Sequence, residues 1–199
     1  METQKLSISV LFTSLLLSFS INLPLMHGLE VETHELINER IALGNFNNFS
    51  LNSYLIEQLG INGGVNELFN KKTVFRWLRE GGRYEDNPPW TIPYVRSVNH
   101  YHDPTREQGF SGFFHGRLLS GYSSVEWAQM PIEAQSPGGH YSWNDTRDYF
   151  YRALTSVNNA YRERNFAETF RSLGQLMHLV HDASVPAHTR NDPHVLGCL

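Results

Sequence analysis

The chain has 199 residues, of which 40% are apolar, 18% charged and 13% aromatic, and its formal charge is -4. That length suits a single domain able to bury a sizeable core, and the balance of residue types excludes disorder and a coiled coil. No run of Lys and Arg supplies the electrostatic footprint of a stable nucleic-acid partner or of an anionic membrane, so a phosphate-bearing substrate would have to be held chiefly by metal.

Residues 1–28 read as an export signal, with Lys5 as a thin positive start and residues 6–26 free of charge. A retained N-terminal anchor is the rival reading, but Asn22 and Pro24 interrupt the run. The domain is therefore expected over 29–199, in a protein secreted or held in the periplasm. Cys198 is the sole cysteine, which excludes an intrachain disulfide and leaves bracing to packing or metal.

Helical periodicity predicts a first helix over 32–43, with Leu36, Ile37, Ile41 and Ala42 available for its buried face. A second is predicted over 51–59, capped by Ser50 and closed by Gly60, and a third over 66–80, stopping at Gly81-Gly82. The next forty residues are rich in Pro and Gly, too long for an idle connection, and expected to be pinned or functional. A short helix over 124–129 and a loop over 131–139 follow. A long helix is predicted over 143–164, with Phe150, Ala153, Leu154, Val157 and Tyr161 on one face, and another begins near Phe166. No stretch alternates well enough to predict strands, so the expected architecture is mainly α with long, ligand-bearing loops.

The last helix carries the densest chemistry. Phe166, Phe170, Leu173, Met177 and Val180 form an apolar stripe, while His178 and Asp182 lie beside it, one turn apart and about 6 Å along the axis. Pro186 ends that helix, so His188 falls in the turn beyond and can curl back over its end. Gly174, one turn before His178, costs a helix about 1 kcal/mol against Ala and so points to close packing. A helix-end cluster of His and Asp paired without metal is the plainer reading. Three further groups favour metal: Thr33-His34, Tyr84-Glu85-Asp86, and Asn99-His100-Tyr101-His102-Asp103-Pro104. Glu85 and Asp86 compete for the carboxylate role. His102 and His181 are expected to support ligands or structure, and His115 and His140 to lie on the surface.

These motifs, H-x3-D-x5-H at His178, Asp182 and His188, His-aromatic-x-Asp-Pro at 100–104 with Asp86 before it, and Thr33-His34 followed by Ile37, occur in the order found in the zinc-dependent phospholipase C and S1/P1 nuclease superfamily, which the chain resembles from about 29 to 194. The resemblance implies a mainly helical fold and two or three zinc ions. Asp86, His100, His178 and Asp182 would hold one ion. Asp182 would bridge to a second, which also takes His34 and the N-terminal amine and carbonyl. His188, with His194, would hold a third. Asp86 and Asp182 would carry the catalytic roles.

The chain departs from that pattern in two places. Leu29 stands where the family starts with Trp, and Cys198 stands where a carboxylate of a following helix is expected, which suggests a truncated chain. The expected function is a monomeric, secreted, zinc-dependent phosphoesterase of the phospholipase C type. It would cut phosphodiesters by metal-activated water, with no more than transient contact with a membrane surface. A single-strand nuclease is the other enzymatic reading, with Tyr84, Trp90, Tyr94 and Tyr101 as stacking candidates. A zinc-stabilised but inactive domain is the third.

Overall fold

The computed structural model describes residues 29–111 and 120–190, all within the contact unit Gly28–Pro193. His115, His194 and Cys198 lie outside the described residues. The architecture is mainly helical. Helix α1 spans Val31–Leu43, α2 Leu51–Glu57, α3 Val74–Asp86, α4 Ser124–Ala128, α5 Trp143–Thr155, α6 Asn159–Asp182 and α7 Pro186–Thr189. No described helix is long and apolar enough to cross a membrane.

Two short antiparallel hairpins correct the expectation of no strands. β1 (Asn45–Phe46) pairs with β2 (Phe49–Ser50), and β3 (Leu68–Phe69) pairs with β4 (Lys72–Thr73). Each is closed by two residues at positive φ, Asn47 and Asn48 in the first and Asn70 and Lys71 in the second. A two-residue turn of that hand matches strand twist and needs no strand-like alternation around it. Ser50 then caps α2 as expected, accepting from the Ser53 N–H.

The third predicted helix is displaced. It starts at Val74, after the second hairpin, and runs through Gly81-Gly82 to Asp86 rather than stopping at them. These glycines serve packing. A Cβ at Gly81 would collide with the Arg171 carbonyl and lie 2.8 Å from the Gly174 Cα, and a Cβ at Gly174 would collide with the Leu78 carbonyl. Gly82 faces α1, where a Cβ would meet the Asn38 Nδ2 at 2.6 Å. Helices α3 and α6 therefore touch backbone to backbone, and Asn38 ties the third helix to the crossing by donating to Leu78 O at 2.8 Å and Gly174 O at 3.0 Å.

The crossing divides the bundle into two ends. On one side lie Ala42, Val74, Trp77, Leu78, Phe166 and Phe170, part of the buried apolar core. On the other, one turn along each helix, lie His34, Glu85 with Asp86, and His178, all buried. The contacts require α3 and α6 to run in the same direction and α1 to oppose them. This explains why α1 does not bury the face predicted for it. Leu36 and Ile41 are exposed, and the buried residues are Val31, His34, Glu35, Asn38 and Ala42.

The break between the last long helices also falls earlier than predicted. α5 ends at Thr155 and α6 starts at Asn159, whose preceding Asn158 caps it by accepting from the Tyr161 N–H. Ala153 is buried, but Leu154, Val157 and Tyr161 are exposed, as is Val180 at the far end of the apolar stripe. Phe166 and Phe170 of that stripe are core, with Leu173 and Met177 packed against it.

The crossing yields a counterintuitive expectation. Gly174→Ala gains about 1 kcal/mol of helix propensity, yet overpacking at a close contact costs about 1–3 kcal/mol. The thermal unfolding midpoint of the variant should fall, and a raised midpoint would show that the two backbones do not touch there.

Candidate metal centre

Helix α6 brings His178 and Asp182 to the polar end of the bundle, α1 brings His34, and α3 ends in Asp86. The segment after the Ser97–Asn99 turn supplies His100. Two sets of donor atoms are close enough to hold a metal ion, His34 with His178 and Asp182, and Asp86 with His100 and His178, each set lying within 4.8 Å. The sets share His178.

Asp182 divides its oxygens between the two sets. Oδ1 lies 3.3 Å from His34 Nε2, while Oδ2 lies 3.2 Å from His178 Nε2 and 2.9 Å from His100 Nδ1. Asp86 faces the same rings, with Oδ2 3.8 Å from His178 Nε2 and Oδ1 3.7 Å from His100 Nδ1. Most of these separations exceed a good hydrogen bond. They match the edge of a tetrahedron about 3.3 Å long, which metal–ligand distances of about 2.0–2.1 Å require. Among the described residues His34 Nε2, His178 Nε2 and Asp182 Oδ2, all facing the centre, are buried with no hydrogen-bond partner. A buried, unsatisfied polar atom is costly, and a cation could satisfy several such atoms within one cluster. The residues present therefore fit a metal.

Ring orientation is set from behind. His178 Nδ1–H donates to Gly82 O at 2.6 Å, which puts the lone pair of the neutral ring on Nε2, facing the carboxylates. The acceptor is a backbone carbonyl of α3, so the helix crossing that positions this ring also fixes its tautomer. His34 Nδ1 lies 3.4 Å from His181 Nδ1, and the His34 and His178 rings stack with centroids 3.5 Å apart. His181 thus supports His34 rather than joining a donor set.

His188 is buried against Tyr101, the rings stacked 4.7 Å apart, and its Nδ1–H donates to His100 O at 3.1 Å. It stands 3.6 Å from Asp182 Oδ2 but belongs to neither donor set, and the described residues assemble no third one. His194, its expected companion, lies outside the described residues. His102 is turned away to Ser123 Oγ at 2.8 Å. His140, expected on the surface, is half-buried with its Nδ1 inside. Asn144, which fits a glycosylation pattern, donates to Gln129 O and Met130 O at 3.0 Å.

Glu85 proves to be neither a rival ligand nor idle. Its carboxylate accepts from Arg96 Nε at 3.0 Å, Trp127 Nε1 at 2.9 Å and Gln175 Nε2 at 2.7 Å. Arg96, fully buried, also donates to Pro137 O, Gly139 O and Gln135 Oε1. Residues separated by up to 90 positions meet here, and no spacing in the sequence announces it.

The charges follow from this arrangement. Burial alone would raise Asp182, but the facing His178, His100 and His34 rings hold it well below the usual carboxylate range. Burial alone would likewise lower His100, yet the facing Asp182 and Glu85 carboxylates outweigh it and lift the ring to about 10. His178 is raised against burial by Asp86 and Asp182. Burial lowers His34 despite Asp182, and burial with the neighbouring His34 and His178 lowers His181 to about 4. No family model, no curated protein and no solved structure matches the chain.

The pH dependence of the metal-free protein follows in sign. Raised rings stabilise the fold below the ordinary value of 6.5 and lose that contribution as pH rises, so His100 makes stability fall from 6.5 toward about 10 and His178 adds a fall above 6.5. Lowered rings do the reverse, so His181 makes it fall from 6.5 toward about 4, His34 adds a fall below 6.5, and Asp182 adds a further loss below 3.8. Urea unfolding of chelator-treated protein should show maximal stability near pH 6.5. A stability that keeps rising through pH 9 would refute the arrangement of charges.

Proposed function

We propose that this chain is a zinc-dependent phosphodiesterase with a fold of the phospholipase C and S1/P1 nuclease kind. The observation that supports this best is the pair of donor sets sharing His178, with the two Asp182 oxygens turned one toward each. Imidazole and carboxylate donors at tetrahedral separations suit zinc among the common metals. Bound adjacent zinc ions supply an activated water near neutral pH and neutralise charge on the attacking and leaving oxygens of a phosphate ester.

The chain's own residues would divide the remaining work. Asp182, its side chain 2% exposed, would hold the two donor sets in register, and Asp86, at 12% the carboxylate nearer solvent, would take a proton from the attacking water. His34 and His100 hold opposite flanks of the site, and His188, with His194, would serve a third ion. Export with removal of residues 1–28 would leave the Leu29 amine and carbonyl to complete the set around His34.

A phospholipid is the substrate we favour. Trp90 and Ile92 stand fully out in solvent on the Pro-rich segment that follows Asp86, and the Tyr94 N–H closes that segment onto Asp86 O at 2.6 Å. Such an apolar tip suits brief contact with a lipid surface by a monomeric enzyme. Of the candidates for base stacking, Tyr101 is buried, while Trp90 and Tyr94 are exposed and would also serve the nuclease reading.

Elemental analysis of the purified full chain should find at least two zinc ions. Hydrolysis of a chromogenic phosphodiester and of phosphatidylcholine vesicles should vanish with chelator and return with zinc. Asp182→Asn should lower zinc content and cut activity by at least about 10–100-fold. Hydrolysis of single-stranded DNA alone would move the assignment to the nuclease reading. Bound zinc with no turnover of any substrate would make the chain an inactive zinc-stabilised domain, and absence of zinc would overturn the metal reading altogether.

A further inference from the structure

We infer that Glu85 is a positioning residue for the metal centre, holding His100 so that Nδ1, and not the more commonly available Nε2, is the nitrogen offered to the ion. This rests on the metal reading above. The two ring nitrogens of His100 face different carboxylates. Nδ1 looks into the centre, 2.9 Å from Asp182 Oδ2 and 3.7 Å from Asp86 Oδ1. Nε2, buried and without a hydrogen-bond partner, looks away from it, 3.7 Å from Glu85 Oε1.

In a neutral imidazole one nitrogen carries the proton and the other the lone pair. A lone pair on Nε2 would point at a carboxylate, which is repulsive, whereas an N–H there is attracted to it. Glu85 thus selects the tautomer whose lone pair lies on Nδ1, among the other ligand atoms. A carboxylate behind a metal-bound His also raises the basicity of the ring.

Glu85 cannot leave this post to become a ligand itself. Arg96 Nε and Trp127 Nε1 occupy the same Oε1 that faces His100, and Gln175 Nε2 occupies Oε2. Arg96 is held in turn by two backbone carbonyls and by Gln135, whose own amide donates to Trp127 O at 2.7 Å. The guanidinium balances the Glu85 charge, so the centre acquires an oriented acceptor without a further net negative charge. Adjacent carboxylates on one helix end therefore have separate tasks, Asp86 facing the ion and Glu85 facing the ring that binds it.

The test uses the full chain loaded with zinc. Long-range nitrogen–proton NMR spectra of the wild-type protein should show His100 with its proton on Nε2 and the metal on Nδ1. Zinc bound through His100 Nε2 would overturn the inference while leaving the metal reading intact, whereas failure to bind any zinc would overturn both. Glu85→Gln should weaken zinc binding about 10–100-fold in competition with a chromogenic chelator, in protein whose far-UV circular dichroism matches wild type. Unchanged affinity in that folded variant would also refute the role. The wild-type spectrum decides the matter even if Arg96, left unbalanced, prevents the variant from folding.

Discussion

The contact on which the rest of the structure depends is the crossing of α3 and α6 at Gly81 and Gly174. Two helices usually approach to 8–10 Å because side chains stand between them. With glycine on both, backbone meets backbone, and Asn38 of α1 can reach a carbonyl of each helix with one amide group. Three helices are thereby fixed in rotation and in axial position. One turn beyond the crossing, each presents its polar residues to the same volume, and the Gly82 carbonyl lies where His178 Nδ1–H can use it.

That geometry separates stability from chemistry along the axis of a single bundle. Aromatic and aliphatic side chains fill one end, where Phe69, Phe166 and Phe170 stack on one another. The other end buries several imidazoles and carboxylates at a cost that hydrogen bonds only partly offset. The orphaned Nε2 atoms of His34 and His178 are the residue of that cost. A cation bound there would recover it, so that metal binding and folding are coupled.

The Arg96–Glu85 network stands beside the cluster as a second buried charge system, and its role differs. Every donor of Arg96 that faces inward meets an acceptor, and Glu85 is met by donors from three separate segments. It joins the end of α3, the loop before His100, α4, the 135–139 loop and α6. The long connection after α3 is pinned largely through this network, which explains how a Pro- and Gly-rich stretch keeps His100 in place.

The sequence by itself determined the local features. The spacing of His178 and Asp182 on a helix and the Ser50 cap were legible, because each depends on residues within a turn or two of one another, whereas Pro186, expected to end that helix and leave His188 in a turn, instead opens α7, which carries His188, after α6 has stopped at Asp182. The tertiary structure alone decided what required distant residues to meet. Gly81-Gly82 looked like a helix end because glycine ordinarily weakens helices, and only the approach of α6 and α1 made it an interior contact. The buried face of α1 was legible only at Ala42, because an amphipathic pattern locates apolar residues, whereas this helix also buries His34 in the polar centre, Asn38 at the crossing and Glu35 beside Arg79. Arg96, Gln135 and Gln175 gave no local signal, since a buried ion pair is defined by its partners in space and not by any period along the chain.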